Sequence, residues 1–238
     1  MNNPYLLLWL EAPLQSWGYD SRFGRRDSLE FPTKSGVLGL LCCALGAGGE
    51  QREWLARWAD LDMQVDAYVP ADRSGHPLPR QPMLRDFQMV GSGYDDRDPW
   101  QSLLIPKTRE GKKAVGGGTK MTYRYYLQDM AFAVALQAPA DEAEQALRAL
   151  QNPVWDLYLG RKSCVPTEFI AQGCHQSAEQ ALARGRALAE EKNRALGFSV
   201  RQGDHEGEGE VITLNDVPLQ FGEQKIYRDR RVTVIKGV

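Results

Sequence analysis

The chain has 238 residues, 42% of them hydrophobic, with a formal charge of -2 and a pI near 6.0. That is enough apolar material for one large domain, or a main domain with an appendage. The balance of charge excludes a protein that coats nucleic acid indiscriminately, which needs many Lys and Arg contacts to phosphate.

Tyr5 to Leu10 is apolar on both faces and predicts a central strand, far short of the roughly 20 residues of a membrane span. No basic leader with a small-residue cleavage site is apparent, so a cytoplasmic location is expected. The strand runs into Gln15-Ser16-Trp17-Gly18, and Tyr19 to Glu30 shows no period and reads as a loop. Thr33 then caps a helix over Lys34 to Leu45 that stops at Gly46. Its apolar residues lie nearly all round, which predicts burial.

Glu50 to Leu61 predicts an amphipathic helix and Met63 to Val69 a strand. Met83 to Val90 and Thr119 to Leu127 read as two strands flanking a long polar excursion that carries Gly91-Ser92-Gly93, Pro106 and Gly116-Gly117-Gly118. Met130 to Gln137 predicts a further strand and Asp141 to Leu150 a helix. Beyond Gln151 the pattern is irregular. Ser177 and Gln180 signal a surface helix over Ser177 to Arg194, followed by short strands at Gly197 to Arg201, Val211 to Leu214 and Arg231 to Ile235. The order of elements resembles an α+β fold, ferredoxin-like or RRM-like, with helices layered on an antiparallel sheet.

Metal-free RNA cleavage needs groups that move protons near neutral pH, but His76, His175 and His205 lie in turn, irregular and acidic-loop contexts. The four cysteines form no Cys-x-x-Cys pair and have no His spaced for zinc, so no metal and no cofactor is expected. Neither a Gly-x-Ser-x-Gly nor a phosphate-loop motif occurs.

Three segments suit RNA. Thr33-Lys34-Ser35-Gly36 offers helix amides, a cation and a hydroxyl to a phosphate, although Gly36 and Gly39 also serve to bring a helix close to a sheet. Tyr158-Leu159-Gly160-Arg161-Lys162-Ser163-Cys164 combines a stacking ring with cations, or forms a solvated loop with Tyr158 packed on the core. The excursion carries Lys107, Arg109, Lys112, Lys113, Lys120 and Arg124 against only Glu110, a basic window that suits phosphate contact and is otherwise a solvated finger.

Together with Leu14-Gln15-Ser16-Trp17-Gly18, Phe31 to Leu41, Leu84-Arg85-Asp86, Thr122 to Asp129 and Val234-Ile235-Lys236-Gly237, these motifs resemble the CasD family, the RAMP-type subunits of the type I-E CRISPR surveillance complex, Cascade. The resemblance spans nearly the whole chain. It implies a ferredoxin-like RAMP domain over 1–152, with a protruding β-hairpin thumb at about 88–122, and a C-terminal extension with short strands over 153–238. It implies a non-catalytic subunit that caps the 5′ handle of the mature crRNA in antiviral defence. The partners implied are crRNA, the CasA large subunit and the CasC backbone, with CasB and CasE in the same complex, and target DNA through the complex. Lys120 and Arg124 then stand at the base of the thumb, and Gln15, Trp17, Lys34, Ser35, Tyr158, Arg161 and Lys162 line the handle groove. Ser16, Arg25, Arg26, Lys107, Arg109, Lys112, Lys113, Gly160 and Ser163 complete the expected RNA contacts. The rival expectation is a metal-independent endoribonuclease that processes precursor crRNA.

Overall fold

The computed structural model describes residues 3–19, 21, 24–90, 107–112 and 120–237. In chain order these form β1 (Tyr5–Gln15), β2 (Arg25–Arg26), α1 (Lys34–Leu45), α2 (Arg52–Trp58), β3 (Met63–Pro70), β4 (Leu84–Val90), β5 (Lys120–Gln137), α3 (Ala143–Gln151), β6 (Ala171–His175), α4 (Ala178–Glu191), β7 (Arg194–Gln202), β8 (Glu210–Gln220) and β9 (Ile226–Lys236). The architecture is mixed α+β, with one large sheet and four helices among the described residues. Along the main path the strand order is β6-β1-β5-β3-β7-β9-β8, and every neighbouring pair is antiparallel. None of the described helices is long and apolar enough to cross a membrane.

The sheet is covered on both faces, which explains why β1 is apolar at consecutive positions. Leu6, Leu8 and Leu10 join a core with Val37, Leu38 and Leu41 of α1 and Ala146 and Leu150 of α3. Leu7 and Trp9 point the other way, into a second core with Ala131, Ala133 and Ala135 of β5 and Ala181, Leu182 and Leu188 of α4. Each such leucine, fully removed from water, contributes about 1.5–3 kcal/mol. The helix expected at the surface is therefore the lid of the second core. It sits close: a Cβ on Gly185 would lie 2.6 Å from the Cβ of Ala133.

Local signals position α1 as the sequence predicts. Thr33 accepts the Gly36 amide at its N-terminus, and Gly46 adopts a left-handed conformation (φ 68°) that returns amides to the Cys42 and Cys43 carbonyls. β5 differs from expectation, being one strand of 18 residues where two were predicted. The polar Gln128-Asp129 pair that breaks the apolar pattern is satisfied from outside the strand. Gln128 donates to the Pro82 carbonyl, and Arg194 donates to both the carbonyl and the carboxylate of Asp129. The register with β1 steps from Ala12–Met130 to Leu14–Gln128, so Pro13, which has no amide to give, falls between the paired positions.

The C-terminal half of β5 lies between β1 and β3. The N-terminal half runs past them and carries its own partners, β4 antiparallel from Leu84–Tyr126 to Val90–Lys120, and β2 parallel at Arg25–Tyr123 and Arg26–Arg124. This two-stranded stem leads to the excursion. Beyond α3, residues 171–175 form β6 beside β1, a strand the sequence did not signal. β7, β8 and β9 are longer than the short strands expected and extend the same sheet from β3.

Candidate nucleic-acid interface

The helix opening faces inward. Lys34 is fully buried and its ammonium donates to the carbonyls of Ala59, at 2.7 Å, and of Leu61. Burial, and secondarily the Arg230 guanidinium, push its pKa down to about 8, with Asp216 opposing them. The Lys34 amide donates to the Asp216 carboxylate at 2.8 Å, and Arg230 holds that carboxylate through two bonds of 2.7 and 2.9 Å. The positive end of α1 is thus already met by an internal anion. Ser35 is half-buried and turns its hydroxyl to Thr33.

The end of β1 is interior as well. Gln15 is buried, donates to the Leu10 and Met130 carbonyls and accepts from the Trp17 indole. Ser16 donates its hydroxyl to the Tyr125 carbonyl. Trp17 packs on α1 so closely that a Cβ on Gly36 would lie 2.9 Å from its ring. Gln15, Ser16, Trp17 and Lys34, expected from the sequence as RNA contacts, are buried. Their side-chain polar atoms are bonded within the protein, to the Leu10, Met130, Tyr125, Ala59 and Leu61 carbonyls and, for the Trp17 indole, to the Gln15 side chain.

The segment 158–164 is docked on the end of β1. The Ser16 amide donates to the Leu159 carbonyl, Leu159 is fully buried, and Gly160 lies against the carbonyl of Ser16. A Cβ there would come within 1.7 Å of the Ser16 oxygen, and φ is +101°, so the position admits only glycine. Arg161 ties the turn to the stem. Its guanidinium donates to the Tyr125 carbonyl (3.1 Å) and the Arg26 carbonyl (2.8 Å) and lies 4.5 Å from the centre of the Tyr126 ring. Lys162 and Ser163 are exposed at the head of the turn, and Tyr158 is half-buried with its hydroxyl 3.4 Å from Asp156.

β2 brings Arg25 and Arg26 to the same place, both exposed. Arg25 is gripped by both Asp27 oxygens and lies 4.9 Å over the Tyr125 ring. The hydrogen bond and charge of Asp27 raise its pKa. Arg26 is in register with Arg124, a half-buried residue that also stands opposite Asp86 of β4. Arginines at the base of a stem, beside a lysine-bearing turn, can hold phosphate oxygens by charge-assisted hydrogen bonds.

The stem carries residues that sequence reading missed. On the face shared by Arg25 and Tyr125, β4 contributes Arg85, Phe87 and Met89, and β5 contributes Met121 and Tyr123. Phe87 and Tyr123 stack at 5.2 Å, and Arg85 lies 5.7 Å over Tyr123. The alternation Met121-x-Tyr123-x-Tyr125 was a usable signal. It showed a strand, but not that this face stays open.

Of the excursion's cations, Lys107, Arg109 and Lys112 are exposed on a tight turn closed by the Thr108 amide on the Lys112 carbonyl, with Gly111 at φ +77°. Arg109 pairs with Glu223 in the β8–β9 turn at 2.8 Å. Lys113 lies outside the described residues. Lys120 is exposed at the start of β5. His76 lies in the loop after β3, His175 on β6 and His205 in the β7–β8 loop, and none belongs to the elements that build this surface. Burial, and secondarily Arg184, lower the His175 pKa. All four cysteines are free, Cys42 and Cys164 buried and Cys174 exposed.

An antiparallel sheet with helices on both faces, a two-stranded stem and an arginine-rich junction at its base define an α+β protein with a cationic, ring-bearing surface. The chain belongs to the CRISPR-associated Cas5 family, whose model matches residues 5–233. It is similar to the CRISPR system Cascade subunit CasD of Escherichia coli (strain K12), with 32% identity over 178 residues, 74% of this chain and 73% of the relative. Among solved structures it matches a chain of a CRISPR RNA-guided surveillance complex with a TM-score of 0.69 and 29% identity, covering 98% of this chain and 89% of the other. A crystal structure of a Cas protein matches with a TM-score of 0.54 and 26% identity, over 98% and 95% of the two chains.

Proposed function

We propose that the chain is a non-catalytic subunit of a type I-E CRISPR RNA-guided surveillance complex, and that it holds the 5′ handle of the crRNA where β2, the stem and the 158–164 turn meet. Membership of the Cas5 family and the likeness to CasD support the assembly. The observation that carries the location is Arg161, whose guanidinium joins the turn to β2 and β5 at once and so fixes Lys162 beside Arg25 and Arg26. Backbone contacts from Arg25, Arg26, Arg124 and Lys162 position the strand, and Tyr158 is available to an unpaired base.

In this reading β6-β1-β5-β3 with α1 and α3 is the ferredoxin-like unit, its last strand supplied by residues 171–175. β4 and the N-terminal half of β5 are the stem of the thumb, and β7–β9 are the C-terminal extension. The modest net charge is consistent with the remaining surface facing CasA and CasC, with CasB, CasE and target DNA in the same assembly.

The test is to purify the assembled complex carrying Arg25→Gln, Arg26→Gln and Lys162→Gln together. Guide RNA recovered per complex should fall by at least tenfold, and unchanged recovery would contradict the site. Incubating the pure chain with a repeat-containing transcript in EDTA tests the catalytic alternative. No specific product is expected, and site-specific cleavage would establish the endoribonuclease.

A further inference from the structure

The helical side of the molecule carries a groove that the RNA junction does not use. It lies between the C-terminal end of α1, α2 and α3, holds about 450 Å³, and is lined by Leu45, Ala47, Trp54, Trp58 and Ala146. Trp54 and Trp58 stand four residues apart on α2, so their rings meet, 5.1 Å between centres. Trp58 is fully buried with its indole donating to Glu142, and Trp54 is half-buried. Apolar surface continues around the Gly46–Gly49 turn, where Val154 lies against Gly46 and Trp155 against Gly48, 63% and 48% exposed. Tyr19 and Phe169 are exposed as well. What sets this surface apart is that its rings border a concavity with an acidic rim.

We infer that this groove docks a basic protein segment of another subunit in the assembly, which seats an apolar side chain against Trp54 and sets Lys or Arg on the rim. Charge selects that occupant. Around the groove, residues 50–58 and 141–156 hold Glu50, Glu53, Asp141, Glu142, Glu144 and Asp156 against only Arg52, Arg57 and Arg148. Each arginine is already held by carboxylates of the same set, Arg52 by Glu50, Arg57 by Asp141 and Glu142, and Arg148 by Glu144. The carboxylates are therefore in surplus here, in a chain whose formal charge is only -2. That surplus repels RNA, a polyanion, and it repels the same face of a second copy. A cation from a protein partner gains twice, from the carboxylates and from the face of an indole ring. Tryptophan at a concave surface is also where the energy of a protein interface concentrates. None of the lining residues belongs to β2, the stem or the 158–164 turn, so this surface and the RNA junction stand or fall separately.

Gln145 lines the groove from α3 and is exposed, so it accepts a probe without disturbing the core. The experiment places the photo-crosslinking residue p-benzoylphenylalanine there, in the full chain within the assembled complex. Irradiation should join this chain to one protein subunit, and mass spectrometry should place the link in a segment that carries Lys or Arg beside an apolar residue. A link to guide RNA, to a second copy of this chain, or to no polymer would overturn the inference. The affinity of the chain for the captured subunit at low salt should then fall about 2- to 5-fold with Gln145→Lys and rise by about as much with Gln145→Glu. Both effects should fade at high salt. A disturbance of packing weakens both variants, whereas a basic partner separates them by sign. Equal affinities, a fall for both variants, or the reverse order would overturn the inference.

Discussion

Replacing Arg161 by alanine tests the junction on which the functional reading depends. The wild-type guanidinium makes two charge-assisted hydrogen bonds, to the Tyr125 and Arg26 carbonyls, and lies 4.5 Å over the Tyr126 ring. A bond from a charged donor contributes about 1.5–3 kcal/mol, with the lower value fitting a half-exposed side chain whose abandoned carbonyls regain water. The ring contact adds about 0.5–1 kcal/mol. Offsetting these against the rotamer freedom regained by the unfolded arginine leaves a loss of about 2–3 kcal/mol. At about 2–4 °C per kcal/mol for a chain of this size, the melting temperature should drop by about 5–10 °C. Lysine should recover less than half of that, because a single ammonium lacks the planar fork that spans two carbonyls. Thermal melting followed by circular dichroism, with urea titration as a check, measures both variants. A loss below about 0.5 kcal/mol for alanine, or wild-type stability for lysine, would refute the assignment of Arg161 as the tie between turn and stem.

Gly160→Ala should be at least as damaging, about 3 kcal/mol or more in urea titration. The new Cβ meets the Ser16 carbonyl at 1.7 Å from a backbone with φ +101°. A wild-type midpoint would show that the turn does not rest on β1. For Lys34 the test is pH. The folded state releases this proton near pH 8, whereas the unfolded chain keeps it to about 10.4, so the folded protein binds fewer protons between those values and gains stability as pH rises. Urea stabilities of wild type and Lys34→Met, compared from pH 7.5 to 10.5, should shift by about 3 kcal/mol in favour of wild type, with the other titrating groups cancelling. A difference that stays constant with pH would mean that the ammonium is not buried. Guide RNA recovered with Lys34→Met at neutral pH should match wild type, and a selective loss would return Lys34 to the interface.

What the sequence disclosed, it disclosed through short-range chemistry. Thr33 and Gly46 bound α1 because caps act within a turn, and the alternation of Met63 to Val69 marks β3 because pleating acts within a strand. The continuity of β5 was hidden, since Gln128 and Asp129 are satisfied by Pro82 and Arg194, 46 and 65 residues away. β6 is only five residues of Ala-Gln-Gly-Cys-His with no apolar alternation, and the edge of β1 supplies its reason to form. Within the site, Gly160 and Arg161 were legible as an unusual turn. Lys34 looked like a phosphate ligand because Asp216, the residue that answers the helix end, lies 182 positions downstream. Arg25 and Arg26 sat in a loop without period, and the place of Phe87 and Tyr123 on an open face depends on which side of the stem the sheet leaves uncovered.

The central claim is that the strand is held at the junction of β2, the stem and the 158–164 turn. Ultraviolet crosslinking of guide RNA in the assembled complex, with the attached peptides mapped by mass spectrometry, tests it most directly. Crosslinks should fall in peptides that contain Arg25–Arg26, Tyr123–Tyr126 and Tyr158–Lys162. Crosslinks confined to α1, α2 or the β8–β9 turn, with none in those three peptides, would contradict it.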